Sequence, residues 1–150
     1  KLIPELARRG WRVSLIKHSH KDIEIDRPGK DSYRLREAGC SEVLLMGKSR
    51  WALMHEQRHD IEPTFEYLLS RMQPCDLVLV EGFKQEDFPK IEVYRDVGEK
   101  TPLWLEKSDI IGLATDVPSA ARHGSKALPH FDLADTQAIA DFVQSHAVVW

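Results

Sequence analysis

Cys75-Asp76-Leu77-Val78-Leu79-Val80-Glu81-Gly82-Phe83-Lys84 is the stretch whose reading decides the fold. Residues 77–80 are apolar without alternation, and the run closes on an acid and a glycine. Such a run predicts a strand buried on both faces, as in the centre of a parallel sheet. Open α/β folds carry their ligands at the carboxyl ends of these strands. A carboxylate there can hold Mg²⁺ directly or through water, and Gly82 lets a phosphate approach the backbone. The plainer alternative is a core strand with an exposed glutamate before a turn. These residues alone leave both open.

Upstream, Leu2, Ile3, Leu6 and Ala7 recur at helical spacing, and Arg8-Arg9-Gly10 supplies a helix C-terminus. Pro4 is awkward inside such a helix unless it bends there. Residues 11–16 read as a strand, so helix, glycine and strand form the second half of a crossover unit. Asp31 or Ser32 is expected to cap a helix running to Gly39. Strands over 42–46 and 51–54 are expected to pair as a hairpin across Gly47-Lys48-Ser49. Phe65, Leu68, Leu69 and Met72 share one helical face and stop before Pro74.

Downstream, 91–94 reads as a strand, and 97–107 lacks periodicity and is assigned as surface connection. Residues 109–118 form a second buried strand with a polar tip. A loop is expected over 119–127 and a short strand over 128–131. Asp135 caps a last helix with Ile139, Phe142, Val143 and His146 on one face. The pattern predicts one α/β domain over residues 1–150, with buried strands suited to a mostly parallel sheet.

With 150 residues, 42% apolar and 30% charged, the chain can bury a sizeable core. A net charge of −3 gives no global attraction to nucleic acid or to an anionic membrane. No apolar run has the length of a membrane span, and no signal peptide is visible. Cys40 and Cys75 lack paired spacing, which suits a reducing compartment, so a cytoplasmic protein is expected. The chain opens at Lys1 inside a helical pattern and without methionine, which raises the expectation of a further upstream segment.

Three constellations can carry chemistry. Lys17-His18-Ser19-His20-Lys21-Asp22 follows a strand, and His18, His20 and Asp22 have the local pattern of some dinuclear metal hydrolases. A solvated polar loop is the preferred reading there. A third option is phosphate recognition, with Lys17 as a point charge. Pro28-Gly29-Lys30-Asp31-Ser32 gathers donors for an anion, though a turn and a helix cap explain it locally. Thr115-Asp116, like Glu81-Gly82, ends a buried strand. An aspartate there can accept two hydrogen bonds from a guanine edge, or can simply be a turn residue before Pro118.

Taken together and in this order, these segments with Arg50-Trp51-Ala52-Leu53-Met54 closely resemble the molybdopterin-guanine dinucleotide biosynthesis adapter proteins (MobB). Pro28-Gly29-Lys30-Asp31-Ser32 and Val80-Glu81-Gly82-Phe83-Lys84 are the most specific blocks. The resemblance implies a P-loop NTPase-like fold with helices on both sheet faces. It also implies binding of GTP with Mg²⁺, a homodimer, and a role beside the guanylyltransferase that joins GMP to molybdopterin. Partners would be that enzyme and molybdopterin or its guanine dinucleotide, not nucleic acid or membrane. Carried over by motif, Glu81 and Gly82 lie near Mg²⁺ and the γ-phosphate, and Asp31 is a second metal-side residue. Lys17, His18 and His20 surround the phosphates, and Thr115 and Asp116 face guanine. The Gly-x-x-Gly-x-Gly-Lys-Thr-Thr loop of the family is not among these residues, and neither is the strand before it. No water-positioning base or arginine finger is evident, so at most weak GTPase activity is expected. A metal-dependent hydrolase built on His18, His20 and Asp22, and a nucleotide-free interaction module, are the alternatives.

Overall fold

The computed structural model describes all residues except 22, 59–60, 96–100, 118–127 and 150. In chain order the elements are α1 (Leu2–Arg8), β1 (Val13–Lys17), α2 (Asp31–Glu37), β2 (Glu42–Met46), β3 (Trp51–His55), α3 (Phe65–Ser70), β4 (Leu77–Glu81) and β5 (Lys90–Tyr94). A 3₁₀ turn (Leu103–Leu105), β6 (Ile110–Thr115), β7 (His130–Asp132) and α4 (Thr136–His146) complete them. They divide into two compact units, Lys1–Lys17 with Pro74–Trp150, and His18–Gln73.

In the first unit, Pro4 is tolerated because it is the third residue of α1, where the backbone N–H needs no intrahelical partner. Leu6 of α1 is fully buried, and α1 packs against β1 and α4. Arg9 ties the two helices, donating to Glu5 at 2.8 Å, Asp141 at 2.5 Å and Gln144 at 2.6 Å. β1 and β4 pair in parallel, in register from Val13↔Leu77 to Lys17↔Glu81. β5, β6 and β7 form a second parallel set with β6 in the middle. The two expectations of a buried strand have different outcomes. β6 is buried along almost its whole length, whereas β4 is half-buried with an exposed Glu81, since β1 is its strand partner among the described residues.

Of the aperiodic stretch 97–107, the described part, 101–107, holds more structure than expected. Trp104 is buried with Ile110 and Leu113, its ring edge-on to Tyr94 at 4.9 Å between centroids. The carboxylate of Glu92 accepts the Leu103 N–H at 2.9 Å and the Trp104 N–H at 2.8 Å, fastening the 3₁₀ turn to β5. A lone tryptophan in an irregular segment carries no periodic signal, so only tertiary contact reveals it. The Asp135 cap of α4 forms as expected, its Oδ1 accepting the Ala138 N–H at 3.0 Å.

In the second unit, β2 and β3 pair as the expected antiparallel hairpin, from Glu42↔His55 to Met46↔Trp51. Leu44, Met46 and Trp51 on it are exposed. Thr64 caps α3, accepting the Tyr67 N–H at 3.2 Å. The expected cap of α2 differs: Lys30 holds the cap position without a side-chain hydrogen bond, and Asp31 is the first helical residue. Its carboxylate therefore favours the helix through the dipole rather than as a cap. The expected loop over 119–127 lies outside the described residues.

Candidate functional site

The acid of the deciding stretch lies where its sequence placed it. Glu81 is the last residue of β4, and Gly82 turns the chain with φ +89°. Phe83 follows at φ +47°, a conformation costly for a residue with a Cβ and therefore held by its surroundings. Parallel register sets Lys17 beside Glu81, and Lys17 Nζ donates to Glu81 Oε1 at 2.7 Å. Both side chains are more than half exposed.

Thr115 ends β6, and Asp116 follows it directly. Thr115 is buried, and its Oγ1 accepts the Val117 N–H at 3.0 Å. That hydroxyl shapes the turn, and the exposed Asp116 carboxylate is what the turn presents. Arg95, one residue past the Tyr94↔Thr115 rung, brings Nε within 3.8 Å of Asp116 Oδ2. Glu81 and Asp116 thus each tip a parallel strand and each face a basic side chain from the adjoining strand.

His18, His20 and Asp31 belong to the other unit. The rings of His18 and His20 meet edge-on at 4.7 Å, and His18 Nε2 lies 3.4 Å from Glu62 Oε1. Asp22, the carboxylate of the metal-hydrolase alternative, lies outside the described residues. Among those described, no group of three His, Cys, Asp or Glu side chains is arranged to hold a metal ion. Before Asp31 the chain turns through Gly29, φ +86°, closed by the Lys30 N–H to the Arg27 carbonyl at 3.2 Å. Arg36 braces this segment, lying 3.3 Å from the nearly buried Asp26 and 3.4 Å from Glu56.

An open polar depression of about 270 Å³ is lined by Gln85, Glu86, Asp87, Glu106, Lys107, Ser108 and Asp109. It sits by the amino-terminal ends of β5 and β6, away from Asp116. Lys107 there already donates to the Lys84 carbonyl at 2.9 Å and to Gln85 at 3.2 Å.

Sequence reasoning finds Glu81, Gly82 and Asp116 but not their counter-charges, Arg95 and the Lys17–Glu81 pairing. On the sequence alone Lys17 is only a point charge for phosphate. A basic residue ending each neighbouring strand is the available signal; the pairing itself needs the register.

Parallel strands tipped by carboxylates and accompanied by helices define an α/β protein with its candidate ligand groups at strand ends. The family model described as Molybdopterin guanine dinucleotide synthesis protein B (MobB) matches residues 1–116. The molybdopterin-guanine dinucleotide biosynthesis adapter protein of Escherichia coli (strain K12) is 42% identical over 146 residues, 95% of this chain and 81% of that protein. Its counterpart in Haemophilus influenzae is 42% identical over 147 residues, 97% of this chain and 78% of that protein. The chain belongs to the MobB family. A crystal structure of molybdopterin-guanine biosynthesis protein B aligns with a TM-score of 0.71 at 21% identity, covering 96% of this chain and 86% of that one. A MobB homologue from Bacillus stearothermophilus aligns at 0.63 and 22% identity, covering 96% and 83%. These structures share the fold. The family membership places the chain in molybdopterin guanine dinucleotide biosynthesis. No helix among the described residues is long and apolar enough to cross a membrane.

Proposed function

We propose that this protein is a GTP-binding adapter that assists a partner guanylyltransferase in attaching GMP to molybdopterin. The observation that carries the reading is the placement of Glu81-Gly82 and Asp116 at the carboxyl ends of parallel strands, where α/β folds bind ligands. The adapter names of the curated relatives support the same role. In this reading residues 1–150 serve as one nucleotide-binding module, cytoplasmic and homodimeric, with the apolar face of the hairpin available for pairing. Molybdopterin or its guanine dinucleotide is the cargo it presents.

Asp116 reads the guanine edge through two charge-assisted hydrogen bonds, while Thr115 holds the turn that aims it. Lys17, His18 and His20 supply donors and charge toward the phosphates, and Gly82 admits them close to the backbone. The donor set fits Mg²⁺, which takes one or two carboxylates and completes its shell with phosphate oxygens and water. Glu81 would hold it. When bound, the ion neutralises phosphate charge. No residue among these is an evident general base, so hydrolysis is slow and the role is that of carrier.

The test is calorimetry of GTP against ATP, with Mg²⁺, on the intact protein. GTP is expected to bind and ATP not. Asp116→Ala should weaken GTP at least about tenfold, since a hydrogen bond to a charged group contributes about 1.5–3 kcal/mol. Absence of guanine-nucleotide binding, or equal affinity for ATP, overturns the proposal.

A further inference from the structure

We propose that Lys17 is a latch on Glu81 that makes divalent-metal binding depend on an accompanying phosphate. The inference rests on the nucleotide-site reading above and deepens it by assigning Lys17 a task distinct from simple attraction.

Three observations carry it. First, Lys17 and Glu81 are the last rung of a parallel pair, so the two side chains stand on one face of adjoining strands by register. Second, the ammonium occupies the carboxylate at 2.7 Å, in the place a hard cation would take. Third, the pair is exposed, at 58% and 59%, and Gly82 and Phe83 turn the chain away immediately afterwards. An exposed pair is weak enough to open.

The opposite end of the same two strands shows what a permanent pair looks like. There Asp76 accepts the Arg12 backbone N–H at 2.7 Å as well as its guanidinium at 3.3 Å. The backbone N–H first, then the side chain, hold that carboxyl below its usual range. Among the described residues Glu81 has the Lys17 ammonium as its partner and no comparable backbone anchor.

Charge then dictates the order of events. A free divalent cation entering alone would displace Lys17 and leave an ammonium beside it, with a single carboxylate to offset both. A cation arriving with phosphate brings the negative charge that the displaced Lys17 needs. The ammonium moves from carboxylate to phosphate, and metal and nucleotide bind with positive coupling, reciprocal by linkage. No covalent step is involved.

The experiment titrates Mn²⁺, followed by electron paramagnetic resonance, into nucleotide-free intact protein, then repeats it with GDP present. Lys17→Met should raise affinity for Mn²⁺ alone by up to about fivefold, the upper end for an exposed ion pair. It should also shrink the gain that GDP confers on Mn²⁺. Lys17→Arg should behave like wild type, and Glu81→Gln should abolish the site. Arg12→Met, which uncovers a carboxylate at the other strand end, should leave Mn²⁺ affinity unchanged. Unaltered or weaker Mn²⁺ binding by Lys17→Met, or an equal rise in Arg12→Met, overturns the latch. Failure of wild type to bind guanine nucleotide instead overturns the functional reading and with it the phosphate dependence, while the Mn²⁺-only contrast between the two variants still decides whether Lys17 occludes Glu81.

Discussion

Gly112→Ala tests how α4 is seated on the strand that carries Asp116. Gly112 lies in β6, and a Cβ there would stand 2.9 Å from Phe142 Cε1, 3.3 Å from Cζ and 3.5 Å from Phe131 Cε2. Carbon atoms pack best at about 3.5–4.0 Å, so the nearest contact is well inside the repulsive wall. The ring has little room to yield, being stacked on His146 at 4.0 Å and tilted against Phe131 at 5.0 Å between centroids. Overpacking costs about 1–3 kcal/mol, and removing glycine from the unfolded chain offsets about 0.4–1 kcal/mol. The expected net is a loss of about 1 kcal/mol, or about 2–4 °C in Tm for a chain this long. Urea unfolding followed by circular dichroism measures it. Phe142→Leu removes the ring edge, so Gly112→Ala should cost at least about 0.5 kcal/mol less in that background. An alanine variant as stable as wild type, or an undiminished cost in the Phe142→Leu background, would refute the close-approach argument.

Other consequences follow from single contacts. Glu92→Gln keeps one carbonyl acceptor where the carboxylate served two N–H groups, so one part-buried donor at the 3₁₀ turn is left unpaired. A loss of about 1–3 kcal/mol is expected, with altered Trp104 fluorescence. An unchanged unfolding midpoint would argue against the tie. The Glu5 carboxyl is pulled down from 4.5 to about 2, by hydrogen bonds from Arg8 first and Arg9 second. A carboxyl depressed on folding stabilises above its unfolded pKa, and that stabilisation fades as pH falls from about 4.5 toward 2. Wild type and Glu5→Gln should therefore differ in stability at neutral pH and converge across that window; a gap that persists at its acid end contradicts the assignment.

Most elements were legible because their signals are local. The unbroken run 77–80 predicts a strand from four residues, and Asp135 announces its helix through a short polar side chain. The strand-end acids were legible for the same reason, since an apolar run that stops shows where its tip lies. Burial was less legible. Leu77 to Val80 promised a fully buried strand, yet in the structure it is β6 that is buried along almost its whole length, with a strand paired at each edge. Trp104 was invisible within its aperiodic neighbourhood, because its burial depends on Tyr94 and Glu92 from a different element.

By itself the sequence determined the element types, the parallel α/β class and the acids at two strand tips, since propensity, periodicity and capping act over a few residues. The tertiary structure decided that Lys17 meets Glu81 across 64 residues and that Arg95 faces Asp116. It also decided that Phe142 closes on Gly112. Register between distant strands is settled by packing and loop closure, which no local pattern encodes.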